Sequence, residues 1–241
     1  MKKVLFLLSI LLFATALRSQ TIINRDPKIG EMVNSISRDN IESYINTMVG
    51  FHTRHNLSVQ DDQGKGIGAA WTWVKAEMEK SIPASGGRLS VEFVDYSVGG
   101  EGQRIKDKTG LKNVVATLKG TDPSDTRIFL VSAHLDSRVE GDADNTTFAP
   151  GANDDGSGVA AILEMIRIMS PHPFGATIRF MVVTGEEHGL LGASHMASLA
   201  KEENWNVAAM LNNDMIGNSG SSGTMLNDNM RVRVSSEDSC T

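Results

Sequence analysis

The sequence predicts an α/β fold, a three-layer sandwich around a mixed sheet that is parallel at its centre. Short apolar runs of strand length occur at residues 128–131, 178–183 and 207–211, and each predicts a buried strand. Stretches with apolar residues at helical spacing separate these runs, so the order is strand, helix, strand, helix, strand. Because such alternation favours parallel strands with helices on both faces, the second half of the chain should form the centre of the sandwich.

The first half of the chain adds two helices and two strands to this prediction. An amphipathic helix is indicated by Ile41, Tyr44, Ile45, Met48 and Val49, with Asp39 or Asn40 as its N-cap. A second helix is predicted over residues 69–80, where Trp71 and Trp73 should pack. Alternating apolar residues at 89, 91 and 93 predict a half-exposed strand, and residues 114–118 predict another.

Two features of the first half have both a functional and a structural interpretation. His52 and His55 share the spacing of one helical turn, but no third ligand type lies nearby, so a solvated helix end is the preferred interpretation. The glycines at 64, 66 and 68 resemble a phosphate-binding loop. However, no strand precedes them and no Gly-Lys-Ser/Thr follows, so nucleotide binding is not predicted.

The beginning of the chain resembles a targeting segment. Lys2 and Lys3 precede an apolar run over residues 4–12, and small residues follow at 14–16. This pattern predicts a cleaved secretory signal peptide over residues 1–19, with an uncleaved anchor as the alternative. One domain over residues 20–241 and a secreted or periplasmic location follow. Cys240 is the only cysteine, so no internal disulfide is expected.

The charge balance excludes some classes of partner. The formal net charge is −6. Removal of residues 1–19 takes away three of the 23 basic residues, Lys2, Lys3 and Arg18, while all 29 acidic residues remain, which gives −9. This acidic balance argues against nucleic acid and anionic membranes as partners.

Acids and a histidine follow the three central strands. His134 and Asp136 come after the first, Glu186 and Glu187 after the second, and Asp214 after the third. Carboxyl ends of parallel strands meet at one edge of a sheet, where open α/β folds bind ligands. Any one of these motifs alone would suit a surface or helix-cap position, but together they predict a site.

A cation would resolve the repulsion within such a site. Clustered carboxylates repel each other and lose hydration, so a cluster without a cation is costly. One imidazole with several carboxylates suits zinc, and also manganese or cobalt. Asp154 and Asp155 begin the helix marked by Val159, Ile162, Leu163, Ile166 and Met169, and Asp155 should help to start it.

The motifs HLDS, PGANDDGSG, TGEEHGLLGAS and NNDMIG, within residues 113–216, resemble those of the co-catalytic di-zinc aminopeptidases. This is metallopeptidase family twenty-eight, whose bacterial leucyl aminopeptidase-like members are related to glutaminyl cyclase, glutamate carboxypeptidase and the transferrin receptor ectodomain. The resemblance implies a zinc exopeptidase-like fold with two Zn²⁺ per complete domain. It also implies a hydrolase that removes N-terminal residues from peptides, and the predicted signal peptide makes this hydrolase a secreted one.

The resemblance also implies the role of each site residue. His134 and Asp214 would hold one zinc, Asp154 would bridge both, and Glu187 would hold the second. A metal-bridging water would be the nucleophile. 

Two further acids complete the implied site. Glu186 would be the general base, and Asp136 would orient the imidazole of His134. His188 and His195 should lie on a helix surface or pack.

The end of the chain departs from the family pattern. The family takes a further zinc-binding histidine and an oxyanion-stabilising tyrosine from a later segment, but neither residue type follows Asp214. We therefore expect a domain that is incomplete at its C-terminus and weakly active or inactive by itself, with a further strand near residues 231–234. The alternatives are a non-catalytic binding ectodomain and a glutaminyl cyclase-like enzyme.

Overall fold

A computed structural model describes residues 26–218 of the protein. The predicted signal peptide, Cys240 and the predicted strand near residues 231–234 lie outside these residues. The chain divides into two units, one ending at Ser35 and the other beginning at Ile36. The described part of the first unit contains helix α1 (Pro27–Asn34), where the Asp26 side chain accepts a hydrogen bond from the Lys28 N–H and Pro27 starts the helix.

The described part of the second unit, residues 36–218, contains four further helices and five strands. The helices are α2 (Arg38–Gly50), α3 (Gly66–Glu79), α4 (Gly156–Met169) and α5 (Leu191–Glu202), with a short 3-10 helix at Pro83–Ser85. The strands are β1 (Leu89–Val98), β2 (Thr109–Leu118), β3 (Ile128–His134), β4 (Thr177–Val183) and β5 (Val207–Asn212). No helix among residues 26–218 is long and apolar enough to cross a membrane.

The five strands form one mixed sheet in the order β1-β2-β4-β3-β5. Strand β3 is parallel to both β4 and β5, whereas β2 is antiparallel to β1 and β4. His134 is opposite Val183, and Ser132 is opposite Asn212. The carboxyl ends of β3, β4 and β5 therefore meet at one edge, which confirms the predicted parallel arrangement.

Helices cover both faces of this sheet. On one face, α3 and α4 pack their apolar side chains against those of the central strands, as Trp71, Ile162, Val131 and Phe180 illustrate. On the other face, Met196 of α5 packs with a smaller group that comprises Val115, Leu130, Met181 and Val183. Alternate residues of β2, β3 and β4 thus enter different cores, which confirms the three-layer sandwich.

Strand β5 is exposed, and the prediction of a buried strand there was wrong. All six of its residues are exposed, including Leu211 at 64%. It is an edge strand whose only partner among the described residues is β3. An apolar run shows strand propensity, but it does not show whether both faces are covered.

Two helix boundaries also differ from the prediction. Helix α2 begins at Arg38, because the Ser37 side chain, rather than Asp39 or Asn40, accepts a hydrogen bond from the Asn40 N–H at 3.2 Å. Helix α3 begins at Gly66 and not at residue 69. A Cβ atom on Gly68 would lie 2.0 Å from the Gln60 main-chain oxygen, so close packing of this loop requires a glycine there.

Candidate metal centre

Three of the predicted metal ligands meet at the carboxyl edge of the parallel strands. His134 ends β3, Asp154 precedes α4, and Asp214 follows β5. One ligand atom from each lies within 4.8 Å of the others, and His134 Nε2 is 3.0 Å from Asp154 Oδ1. His134 is buried, whereas the Asp154 side chain is 48% exposed. One imidazole and two carboxylates that open to solvent fit a divalent cation with room for a substrate.

Two aspartates hold His134 in place. The ring Nδ1 lies 3.0 Å from the main-chain oxygen of Asp136 and 3.6 Å from the Asp136 carboxylate, while the main-chain N–H of His134 donates to Asp155 Oδ2 at 3.1 Å. Burial would lower the pKa of His134, but the surrounding carboxylates, Asp136 foremost, raise it to about 10. The contacts on the Nδ1 side leave Nε2 directed at the cluster.

Asp155 starts helix α4, as predicted. Its side chain is the N-cap of that helix and accepts the Gly158 N–H at 2.9 Å, while its other oxygen accepts the His134 N–H. Burial raises the pKa of Asp155 to about 7, although His134 and the two N–H groups oppose the rise. Asp155 thus links the end of β3 to the start of α4, next to Asp154.

The buried carboxylate of Asp136 holds the loop that carries Glu186 and Glu187. It accepts hydrogen bonds from three successive main-chain N–H groups, those of Gly185 (2.9 Å), Glu186 (3.2 Å) and Glu187 (3.0 Å). Burial raises the pKa of Glu186; His134 opposes the rise and nearby carboxylates add to it. A raised pKa makes a carboxylate a better proton acceptor near neutral pH.

Glu187 lies outside the group of three. Its Oε2 accepts a hydrogen bond from Arg138 Nε at 2.8 Å, and Arg138 Nη1 is also 3.5 Å from Asp142. Glu187 therefore forms an ion pair at the edge of the site, and its role as a metal ligand stays a prediction.

Thr184 anchors the same loop to the sheet and to helix α3. Its hydroxyl accepts a hydrogen bond from Trp71 Nε1 at 2.9 Å and donates to the Lys112 main-chain oxygen at 2.7 Å. Its carbonyl accepts the Tyr96 hydroxyl at 2.5 Å, and its N–H donates to Asn113 Oδ1 at 3.0 Å. Every polar group of this buried residue is paired, so the loop begins from a fixed point.

A buried arginine, not expected from the sequence, holds the segment before Asp154. Arg54 is fully buried, and its guanidinium donates to the main-chain oxygens of Leu135 (2.7 Å), Pro150 (2.8 Å) and Gly151 (2.9 Å). Burial lowers the pKa of Arg54 to about 10, so it stays charged at neutral pH. No periodic signal marks such a residue, because its partners are main-chain atoms distant in sequence.

The interpretation of His52 and His55 as a solvated helix end was wrong for His55. His52 is exposed and lies 3.0 Å from the Thr146 main-chain oxygen. His55 is fully buried, because the chain turns inward after α2, and its ring packs edge-on against His188 at 4.9 Å. His188 packs as expected, and His195 stacks on Tyr96.

Comparison with known proteins finds similar sequences among metalloproteases and aminopeptidases. A probable zinc metalloprotease of Pyrenophora teres f. teres is 44% identical over 211 residues, which cover 86% of this chain and 45% of the relative. Leucine aminopeptidase 1 of Ajellomyces dermatitidis is 31% identical, over 84% of this chain and 49% of the relative. The chain thus spans about half the length of these relatives.

A solved structure shows the same fold. LapB from Legionella pneumophila superimposes with a TM-score of 0.66 at 20% identity, over 83% of this chain and 49% of LapB. The sequence profile of Peptidase family M28 matches residues 113–238, more than half of the 241 residues, and this span includes every residue of the site at the sheet edge. The chain belongs to Peptidase family M28.

Proposed function

We propose that this chain carries the metal site of a secreted zinc-dependent aminopeptidase that removes N-terminal residues from peptides. The observation that carries the proposal is the meeting of His134, Asp154 and Asp214 within 4.8 Å at a solvent-open sheet edge. Zinc is supported by the imidazole in this donor set and by the printed names of relatives. The aminopeptidase direction is supported by the name of one relative.

Hydrolysis needs a Lewis acid and a proton acceptor. Zinc bound at these residues would polarise the scissile carbonyl and lower the pKa of the attacking water. Glu186 is placed beside the cluster by the hydrogen bond from its main-chain N–H to Asp136. Its raised pKa suits it to take the proton of the water and to pass it to the leaving amine.

The proposal includes a second zinc, held by Asp154 as a shared ligand and by Glu187. The Asp154 side chain is 48% exposed, and that of Glu187 is 16% exposed. Asp136 would fix the His134 ring and the loop of Glu186 and Glu187 relative to each other, because it contacts both.

Secretion is the second part of the proposal. It rests on the basic, apolar and small-residue pattern of residues 1–19, and expression with N-terminal sequencing tests it. A mature N-terminus near residue 20 in the culture medium or periplasm supports secretion. A chain that keeps Met1 in the cytoplasm contradicts it.

The activity is tested on a longer version of the protein that spans the length of these relatives, with amino-acid anilides and with N-terminally blocked versions of the same compounds. We expect the zinc-loaded protein to cleave the free-amine series in preference and to lose cleavage in Asp154→Asn. The exposed Asp61→Asn variant is the matched control, and it should cleave normally. Cleavage restricted to blocked substrates would overturn the aminopeptidase direction. Zinc binding without any cleavage would favour the non-catalytic binding domain.

A further inference from the structure

We propose that Asn56 is a positioning residue of this site, which fixes Asp136 and His188 with a single amide group and thereby sets the loop of Glu186 and Glu187. The inference rests on the proposed function, because that function gives the loop its importance. Asn56 lies between α2 and α3, separated by 80 residues from Asp136 and by 132 from His188. Its side chain is fully buried.

The amide group of Asn56 uses both of its N–H bonds. Nδ2 lies 2.8 Å from Asp136 Oδ2 and 2.8 Å from His188 Nδ1. The opposite amide orientation would put the oxygen of Asn56 against a buried carboxylate, so the observed orientation is the favourable one. Among residues 26–218, Asn56 Oδ1 has no hydrogen-bond partner. The residue therefore acts on the site through its donors.

The first contact completes the set of donors around Asp136. Three main-chain N–H groups of the loop donate to this fully buried carboxylate, and Asn56 supplies a side-chain N–H to Oδ2. Since the main chain at Glu186 and Glu187 is bound to the carboxylate, the position of the carboxylate sets the position of both residues. Asn56 thus acts on them through Asp136.

The second contact fixes the other end of the loop. Because Asn56 donates to His188 Nδ1, that nitrogen must be an acceptor, and Nε2 carries the hydrogen. His188 Nε2 lies 3.0 Å from the main-chain oxygen of Asp142, which accepts that hydrogen. The ring of His55 packs edge-on against His188 and closes the cluster. A single amide therefore holds the loop at Asp136 and directly after Glu187.

The experiment compares Asn56→Ala and Asn56→Asp with wild type. Asn56→Asp keeps the volume and removes both donors, and Asn46→Asp is the matched control for added charge. Asn46 is exposed on helix α2. Hydrogen exchange of the amides at residues 185–187 and the kinetic constants on an amino-acid anilide are measured for each protein.

Both Asn56 variants should exchange these three amides about tenfold faster, while amides of β2 and α4 stay protected. They should lower kcat about 10- to 100-fold with KM within about threefold, whereas Asn46→Asp changes neither. Unchanged exchange at residues 185–187 in a folded Asn56 variant would overturn the proposal, as would equal loss of protection throughout the sheet in both variants. Exchange does not depend on turnover, so this inference stays testable on this chain even where its own activity is weak, whereas a longer version that spans the length of the relatives and cleaves nothing would contradict the proposed function.

Discussion

The Nε2 atom of His134 lies 3.0 Å from Oδ1 of Asp154, although one residue ends a strand and the other precedes a helix. Asp214 completes a group whose ligand atoms lie within 4.8 Å of one another, and among residues 26–218 this is the only group of three possible ligands. Glu187 is instead paired with Arg138. The two predicted zinc sites therefore differ in the number of protein ligands that are in place to bind the ion.

We expect this chain to bind one zinc tightly and a second weakly. The first ion gains an imidazole and two carboxylates, whereas the second is offered Asp154 and Glu187. Calorimetric titration, with metal analysis after dialysis, measures the stoichiometry, and Asp154→Asn should weaken both steps. Two zinc ions held tightly per chain would contradict this expectation and would indicate a further ligand.

The adjacent acids Glu186 and Glu187 should differ in what they contribute. Glu186→Gln removes the proton acceptor, so kcat should fall by about 100- to 10,000-fold with zinc content near normal. Glu187→Gln removes a charge that the second zinc needs, so zinc occupancy of that weaker site should fall while occupancy of the first site stays near normal. Metal analysis and anilide kinetics on both variants separate the roles. Loss of zinc in the Glu186 variant alone would mean that the two roles are reversed.

The positions of the site residues could be predicted from the sequence, but the residues that hold them in place could not. Strand order and the rule that ligands bind at carboxyl ends were sufficient to bring His134, Asp154 and Asp214 together. Arg54 and Asn56 were not predicted, because they act on groups far away in sequence and carry no periodic pattern. The exposure of β5 was missed because apolar content does not report what lies against a strand.

Gly158 lies where the site and helix α4 meet, and its replacement should damage both. A Cβ atom there would lie 2.5 Å from the Asn213 main-chain oxygen and 2.6 Å from the carboxylate of Asp155. Gly158→Ala should therefore displace the Asp155 cap and the segment before Asp214, at a cost of about 2–3 kcal/mol in unfolding free energy.

The matched control is Gly50→Ala at the end of α2, where a Cβ atom would meet nothing within 4 Å. It should leave stability unchanged or raise it by about 0.5 kcal/mol. Denaturant unfolding and zinc titration compare the two variants. Equal stability and equal zinc affinity in both variants would show that the space around Gly158 can accept a Cβ atom.

The last prediction concerns pH and Glu164, which lies far in sequence from the segment that it binds. Its side chain is 3% exposed, and it accepts hydrogen bonds from the Ser37 N–H (2.7 Å), Asn40 (3.3 Å) and Arg167 (2.6 Å). Burial raises the pKa of Glu164, but these donors outweigh it and hold the pKa below its ordinary value of 4.5.

A lowered pKa in the folded state stabilises the protein above the unfolded pKa, and that stabilisation disappears as the pH falls through the folded pKa. Glu164→Gln should therefore cost about 2 kcal/mol at pH 7, and the difference from wild type should shrink below a pH of about 4. Urea unfolding between pH 3 and pH 7, with about one measurement per half pH unit, gives the difference in unfolding free energy between the variant and wild type. Glu79→Gln, which breaks a more exposed pair with Lys75, is the control and should cost less than about 0.5 kcal/mol. A Glu164→Gln difference that stayed constant over this range would show that the carboxylate charge does not stabilise the fold.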